Sequence, residues 1–246
     1  MSTFKSILIP IAFLIGVLLS ELSLGQNVKT YIPPKAVEFL PIVNKEARLI
    51  MPSFKYPYYF GSLIEHESCI SLKHSRCWSP TSQLKTQREL GIGLGQLTKA
   101  FHSDGSIRFD KLEELRTRYN AQLSELSWLT LKQRPDLQIR AIAVMTNESY
   151  RSLFTVTDPF ERLKMTDYAY NGGLGAVKKD RQLCGLKKGC DPQKWDGHVE
   201  IHSSKSRKPL YGTRSAYDIT RHHVHDVTVT RLPKYKAYFE SHFGEM

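Results

Sequence analysis

The sequence lacks a membrane-spanning segment of ordinary length. Its apolar run, Ser6–Ser20, is shorter than the roughly 20 residues that a spanning helix needs. A segment with one lysine, Met1–Lys5, precedes this run, and Ser23-Leu24-Gly25 offers small residues for cleavage. This layout predicts a secretory signal peptide at residues 1–25. An uncleaved N-terminal anchor is the first alternative and a buried core helix the second. A signal peptide and an anchor would both export the rest of the chain, to the periplasm or cell envelope.

Cysteine is scarce, with four residues and no CxxC pair. An even number of cysteines in an exported chain predicts disulfides. The short separations favour the local bridges Cys69–Cys77 and Cys184–Cys190, although four cysteines allow three pairings. A zinc site and free buried thiols are the alternatives. We expect no metal ion and no cofactor.

Acidic residues are few relative to basic ones, with 24 Asp and Glu against 35 Lys and Arg. The net charge of +11 and the pI near 9.4 predict a polyanionic partner: nucleic acid, a membrane surface or an anionic cell-envelope polymer. Solubility alone is the alternative explanation. Zinc-finger spacing, an aromatic RNA-binding signature and a zipper-type basic helix are absent from the sequence, so we expect no specific nucleic-acid partner.

Internal repeats are also absent and few stretches alternate like strands, so the predicted class is mainly α. Residues 26–57 are predicted to be a proline-rich lead-in over the domain surface, with a short helix around Lys35–Leu40. Residues 58–246 are predicted to form a single domain. Its predicted parts are helices near residues 58–70, 110–128, 136–153 and 158–171, a loop-rich excursion at 184–216 and a closing helical segment at 217–243 that is interrupted near Pro233.

The first candidate for chemistry is Glu67. Two residues along a helix correspond to a rotation of roughly 200°, so Glu65 and Glu67 should face nearly opposite ways. Leu63 and Ile64 lie one turn before Glu67, which places Glu67 on the apolar face and Glu65 toward solvent. Burial of a carboxyl group disfavours its charged form and raises its pKa, as a general acid near neutral pH requires. A partly exposed glutamate without a function is the alternative.

Two further motifs follow. Gly91–Leu97 is a glycine-dense segment ending near Gln96, and it lacks the third glycine and the βαβ setting of a dinucleotide site. It predicts either a tight turn or small hairpin, or a loop whose small residues let a polymer approach the backbone, with Gln96 hydrogen-bonding to sugar. Ala169–Gly173 (AYNGG) then ends a helix, and its tyrosine and Asn-Gly pair would by themselves predict only core packing and a turn.

Taken in order, the three motifs resemble those of the soluble lytic transglycosylase family. Glu67-Ser68, Gly93-Leu94-Gly95-Gln96 and Ala169–Gly173 are similar to the family's Glu-Ser, Gly-Leu-Met-Gln and Ala-Tyr-Asn-Ala-Gly. The match spans about residues 58–180 and extends loosely to 240. Within the family, the chain looks most like a phage or prophage-type member.

The resemblance implies a lysozyme-like (goose-type) fold and cleavage of the β-1,4 bond between N-acetylmuramic acid and N-acetylglucosamine in peptidoglycan. Glu67 would be the acid and base of a reaction in which the muramic 6-hydroxyl attacks C1 and a 1,6-anhydro product forms. Tyr170 would be the second catalytic residue. Gln96 and Asn171 would line the glycan groove with Gly95, and Ser68 would sit behind the catalytic helix as part of the substrate-binding set. The implied partners are glycan strands and anionic envelope polymers, with membrane contact only through the N-terminal segment, and we expect a monomer.

The sequence departs from the family pattern at several points. The family's Met is Gly95 here, so we expect a more open wall at the sugar site. An insertion containing Cys69, Cys77 and Trp78 separates the first two motifs. The family's late Glu-Thr-Arg-x-Tyr-Val segment is matched by residues 219–224 (ITRHHV), which places Ile219 where the glutamate would be.

Two other functions remain open at this point. A hydrolytic muramidase on the same fold would need an acidic residue to position water, and the sequence does not place one. A non-catalytic peptidoglycan-binding or assembly protein would have no need for an acid on the apolar face.

Overall fold

A computed structural model describes residues 30–86 and 89–244. The predicted signal peptide or anchor at residues 1–25 lies outside the described residues. The chain is mainly helical with a small antiparallel sheet, which confirms the predicted class. The helices are α1 Pro34–Ile50, α2 Tyr59–Ser68, α3 Lys111–Arg118, α4 Asn120–Leu123, α5 Pro135–Ser152, α6 Pro159–Gly172, α7 Leu174–Gly185, α8 Ala216–His225 and α9 Leu232–Phe243. The strands are β1 Gln83–Lys85, β2 Glu89–Ile92, β3 Leu97–Phe101, β4 Ile107–Asp110, β5 Pro209–Tyr211 and β6 Arg214–Ser215.

Helix α5 is the central element. It begins with Pro135 in its first turn, where the missing N–H costs nothing. One side of the helix, with Ile139 and Ile142, packs into the core shared with α1 and α2. Another side, with Leu137 and Val144, packs into the core beneath the sheet. A helix that is buried on several sides in this way is apolar over much of its circumference.

The predicted lead-in is the main correction to the fold. In place of a short helix over the surface, Pro34–Ile50 forms a 17-residue helix. Leu40 and Val43 on this helix are fully buried, and Glu46 makes an ion pair with Arg140 on α5 at 2.7 Å. The prolines misled the prediction because Pro34 is in the first turn of the helix, where proline is favoured, and Pro41, directly after the predicted end, lies inside the helix without ending it.

The expected small hairpin is part of a four-stranded antiparallel sheet with the order β1-β2-β3-β4. The pairing of Ile92 with Leu97 closes the β2–β3 hairpin, so the glycine-rich motif is the turn between these strands. The helical segment predicted at 110–128 is shorter than expected. It begins after Asp110, whose side chain accepts a hydrogen bond from the N–H of Glu113, and it consists of α3 and the single turn α4.

The closing segment lies across the outside of α2. Helices α8 and α9 are separated by a π-helical turn, Asp226–Arg231, and this irregularity lies directly before Pro233, where the sequence predicted an interruption. The excursion at 184–216 contains an irregular turn at Trp195–Val199 and the short β5–β6 hairpin.

The four cysteines form the two predicted local disulfides, Cys69–Cys77 and Cys184–Cys190. Among the described residues, no helix combines the length and the apolar character that crossing a membrane requires.

Candidate active site

Helix α2 carries the predicted acid and has no solvent-facing side. Every residue of the helix except Glu67 is buried, and the Glu67 side chain itself is only 3% exposed. The helix is enclosed by α1, by α9 and by the π-helical turn. Glu67 is the position at which this buried helix meets a cleft.

The prediction that Glu65 points to solvent is wrong. Its side chain is fully buried, and its carboxylate binds Arg231 at 2.6 Å and Lys234 at 2.7 Å. The Tyr235 hydroxyl also donates a hydrogen bond to it at 2.7 Å. Glu65 and Glu67 do point to different sides of the helix, as predicted. The side that carries Glu65, however, is covered by the closing segment and does not face water.

The glycine-rich turn forms one wall beside Glu67. Gly93 has φ +85°, and a side chain there would collide with the amide of Gln138. The Gln138 amide oxygen accepts a hydrogen bond from the Leu94 N–H at 2.8 Å, which anchors the turn to α5. Gln96 also adopts a positive φ, 46°, and its side-chain amide donates to the carbonyl of Gly93 at 2.8 Å. This hydrogen bond holds the Gln96 side chain against its own turn.

Gly95 is the point at which the turn touches the helices. A Cβ there would lie 2.5 Å from Ile142 on α5 and 2.7 Å from the Tyr170 hydroxyl. Tyr170 donates its hydroxyl hydrogen to the Gly95 carbonyl at 2.8 Å. The expectation of a more open wall at Gly95 is therefore wrong, because Ile142 and Tyr170 fill the space that a methionine side chain would need.

The three motifs converge on one cleft, whose volume is about 480 Å³ when the open space at its mouth is included. The predicted residues Glu67, Gly95, Gln96, Tyr170 and Asn171 all line it. The sequence did not point to the other lining residues, which come from the sheet, from the start of α3 and from α5: Leu97, Thr98, Phe109, Lys111 and Met145.

Ser68 is the exception among the predicted substrate-binding residues. It does not line the cleft and is 4% exposed. Its hydroxyl donates to the Ile64 carbonyl at 2.7 Å and accepts from the Trp78 N–H at 3.1 Å. Ser68 therefore does not reach the cleft; it joins the last turn of α2 to the loop that the Cys69–Cys77 bridge closes.

The surroundings of Glu67 favour its protonated form. Burial raises the pKa of Glu67 to about 7, the nearby Asp167 carboxylate acts in the same direction, and His223 opposes both. At neutral pH the group can thus both give and take a proton. Burial also raises the pKa of Tyr170 well above its usual value, with a further contribution from the Glu67 charge, so Tyr170 is a hydrogen-bond donor and not a base.

Two residues that the sequence analysis missed complete the site. The His223 Nε2 lies 3.3 Å from Glu67 Oε1, and its Nδ1 lies 2.5 Å from Asp167 Oδ2. The Tyr59 hydroxyl donates to the other Asp167 oxygen at 2.9 Å. The one available signal was position, since His223 occupies the place of the tyrosine in the family's Glu-Thr-Arg-x-Tyr-Val segment.

The neighbouring residues of α8 have structural contacts. Ser215 and Asp218 form a reciprocal capping box at its N-terminus, and Ile219 is buried. In the described part of the chain, no group of three or more His, Cys, Asp or Glu side chains is arranged to hold a metal ion.

This arrangement can perform proton transfer to and from a ligand in the cleft. Of the lining residues named above, Glu67 is the single carboxylic acid. Compared with protein-family models, with curated proteins and with solved structures, the chain has no match.

Proposed function

We propose that the protein is a glycosidic-bond-cleaving enzyme of the cell envelope. More specifically, we propose a peptidoglycan lytic transglycosylase with a lysozyme-like fold, acting between N-acetylmuramic acid and N-acetylglucosamine. The observation that carries the proposal is the position of Glu67. It is a buried acid with a pKa near neutrality, at the edge of a cleft that it shares with Gln96, Tyr170 and Asn171.

The proposed reaction uses Glu67 twice. The protonated carboxyl gives its proton to the glycosidic oxygen as the bond from that oxygen to C1 breaks. The resulting carboxylate then takes the proton of the muramic 6-hydroxyl as that oxygen bonds to C1. The proton count closes, no water is consumed, and the product ends in 1,6-anhydromuramic acid. A group with a pKa near the working pH suits both steps.

The set of acids in the cleft favours this scheme over hydrolysis. Most glycosidases use two carboxyl groups flanking the scissile bond. Asp167, the carboxylate whose charge acts on Glu67, is fully buried and bonded to His223 and Tyr59. A second acid is unnecessary when the attacking hydroxyl belongs to the substrate.

Two properties of the chain support an exported location and a wall polymer as substrate. Two disulfides close short loops, and such bridges persist in oxidising compartments. The net charge of +11 favours association with an anionic envelope polymer.

The test is digestion of purified peptidoglycan by the full chain, with mass spectrometry of the released muropeptides. We expect products ending in 1,6-anhydromuramic acid, and at least about 100-fold slower release by Glu67→Gln, because the amide cannot transfer the proton. The matched control is Glu148→Gln. It changes another Glu-Ser pair in which the glutamate binds Arg118 at the surface, and its activity should equal that of the wild type.

The same experiment separates the alternatives. Reducing-end products would replace the transglycosylase proposal with a muramidase. If the folded wild type bound the polymer and released nothing, the protein would be a binding module. Equal rates for Glu67→Gln and the wild type would remove Glu67 from the mechanism.

A further inference from the structure

The ring of His223 lies between two carboxyl groups. Its Nδ1 is 2.5 Å from Asp167 and its Nε2 is 3.3 Å from Glu67. All three side chains are almost inaccessible to water, with exposures of 0%, 0% and 3% for His223, Asp167 and Glu67. A neutral imidazole can donate from one nitrogen only, whereas the doubly protonated ring donates from both. The geometry therefore matches an imidazolium that serves two acceptors.

Asp167, on the Nδ1 side of the His223 ring, stabilises the positive charge of the imidazolium. Asp167 accepts from the Tyr59 hydroxyl through one oxygen and faces His223 with the other. Burial by itself would lower the pKa of His223, but Asp167, followed by Glu67, outweighs it and raises the pKa to about 9. The ring thus remains positively charged at neutral pH beside the acid.

We propose that His223, supported by Asp167, is the positioning residue of Glu67: it holds Oε1 by a charge-assisted hydrogen bond and leaves Oε2 to exchange the proton with the substrate. This inference rests on the proposed function of Glu67. It assigns to His223 a specific effect, which is stabilisation of the carboxylate that forms after the proton has left. Charge-assisted hydrogen bonds of this kind are stronger than neutral ones, and a fixed donor costs no reorganisation during the reaction.

The other titratable groups around the ring do not compete for this role. His66, from α2, has its ring centre 4.5 Å from that of His223, and burial followed by the charge of His223 lowers the pKa of His66 to about 3. Asp226, beyond it, binds His66 and Arg231. On α8 itself, burial lowers the pKa of His222. His223 is the group whose charge reaches Glu67 directly.

The first variant is His223→Gln, which keeps a donor near the Nε2 position and removes the charge. Loss of a nearby positive charge disfavours the ionised form of an acid and raises its pKa. We therefore expect the Glu67 pKa to rise by about one unit from its value of about 7. The alkaline limb of kcat/KM should move upward by the same amount, and kcat should fall about tenfold because the carboxyl is held less firmly.

Two measurements are needed. One is the pH profile of muropeptide release. The other is a titration of ¹³C-labelled glutamate carboxyl groups by NMR, in which the Glu67 signal is assigned by its loss in Glu67→Gln. The control is His225→Gln, the same change on the same helix at an exposed position, which should leave both midpoints unchanged.

The outcomes separate this inference from the proposed function. If the wild type releases no muropeptide, the proposed function fails, and the NMR titration still decides whether His223 controls Glu67. Unchanged midpoints in a folded His223→Gln protein would overturn the inference. If that variant does not fold, Asp167→Asn takes its place. Without the Asp167 carboxylate, burial lowers the pKa of His223 and the ring loses its charge. The Glu67 pKa should then rise, because the positive charge lost from His223 is nearer to Glu67 than the negative charge lost from Asp167. An unchanged midpoint in this variant would overturn the inference equally.

Discussion

Gly95 has Ile142 and the Tyr170 hydroxyl where its side chain would be, at 2.5 and 2.7 Å from an ideally placed Cβ. Contacts that short require the turn, α5 or Tyr170 to move. The Tyr170 hydroxyl is also bonded to the Gly95 carbonyl, so any displacement of the turn disturbs the hydrogen bond that joins two of the three motifs. At the scale of single residues, the shape of the cleft therefore requires that residue 95 has no side chain.

We expect Gly95→Ala to lower the free energy of unfolding by about 1–3 kcal/mol, the usual cost of overpacking. Denaturant unfolding monitored by tryptophan fluorescence would measure it. The control is Gly175→Ala on α7, where a Cβ meets nothing within 4 Å, and where alanine should be neutral or slightly stabilising. Wild-type stability for Gly95→Ala would show that the turn has room to relax.

The same scale shows what the sequence could and could not predict. Glu67 and Tyr170 were identifiable because their motifs are local. Glu65 was misplaced because a rotation angle gives the relative direction of two side chains and not what covers each of them. Asp167 carries no local signal, and the place of His223 in the segment 219–224 does not reveal its partner. The contact of His223 with Glu67 joins residues 156 positions apart and exists only after folding.

At the scale of elements, the C-terminal end of α2 is held by the loop that follows it. Cys69, directly after the helix, is bridged to Cys77, and the neighbouring Trp78 is fully buried. Ser68 accepts a hydrogen bond from the Trp78 N–H, so the bridge and the hydrogen bond fix the loop to the same turn of helix that carries Glu67. The disulfide thus supports the position of Glu67 as well as the stability of the fold.

We expect Cys69→Ala/Cys77→Ala to lose about 2–3 kcal/mol of stability, as the entropy of a short loop predicts, and also to lose catalytic rate. The matched control is Cys184→Ala/Cys190→Ala, which opens a loop of similar length away from the cleft. It should lose comparable stability and keep its rate. Both variants would be assayed at a temperature where they are folded. Equal rates for the two variants would show that the Cys69–Cys77 bridge does not support the position of Glu67.

Elements also mark where prediction from sequence was strong. The limits of α5 and α6 were predicted to within a residue or two, because apolar residues recur along α5 and because Asp158 and Pro159 form a helix start for α6. Helix α1 was underestimated because proline is usually a helix breaker, and the burial of its apolar stripe depends on partners that are distant in the sequence. The sheet was predicted only as a hairpin, since its strands are three to five residues long.

At the scale of the whole molecule, Glu65 joins three distant parts of the chain. Its carboxylate binds Lys234 and Arg231 from the closing segment. Lys234 in turn donates to the carbonyl of Tyr31, ahead of α1, at 2.8 Å. The N-terminal part, helix α2 and the C-terminal helix therefore share one buried polar network. Every buried charge in such a network must keep its partner, since an unpaired one is costly.

Glu65→Ala should therefore lower the free energy of unfolding by about 3–5 kcal/mol, the cost of leaving buried charges without their partner. Lys234 and Arg231, with side chains 2% and 13% exposed, would lose the carboxylate that they share. The control is Glu148→Ala, whose surface pair with Arg118 is worth roughly 0–1 kcal/mol. Denaturant unfolding of both variants gives the comparison. A loss for Glu65→Ala no larger than that of the control would mean that water or other groups replace the carboxylate, and that the closing segment is held to α2 by apolar packing alone.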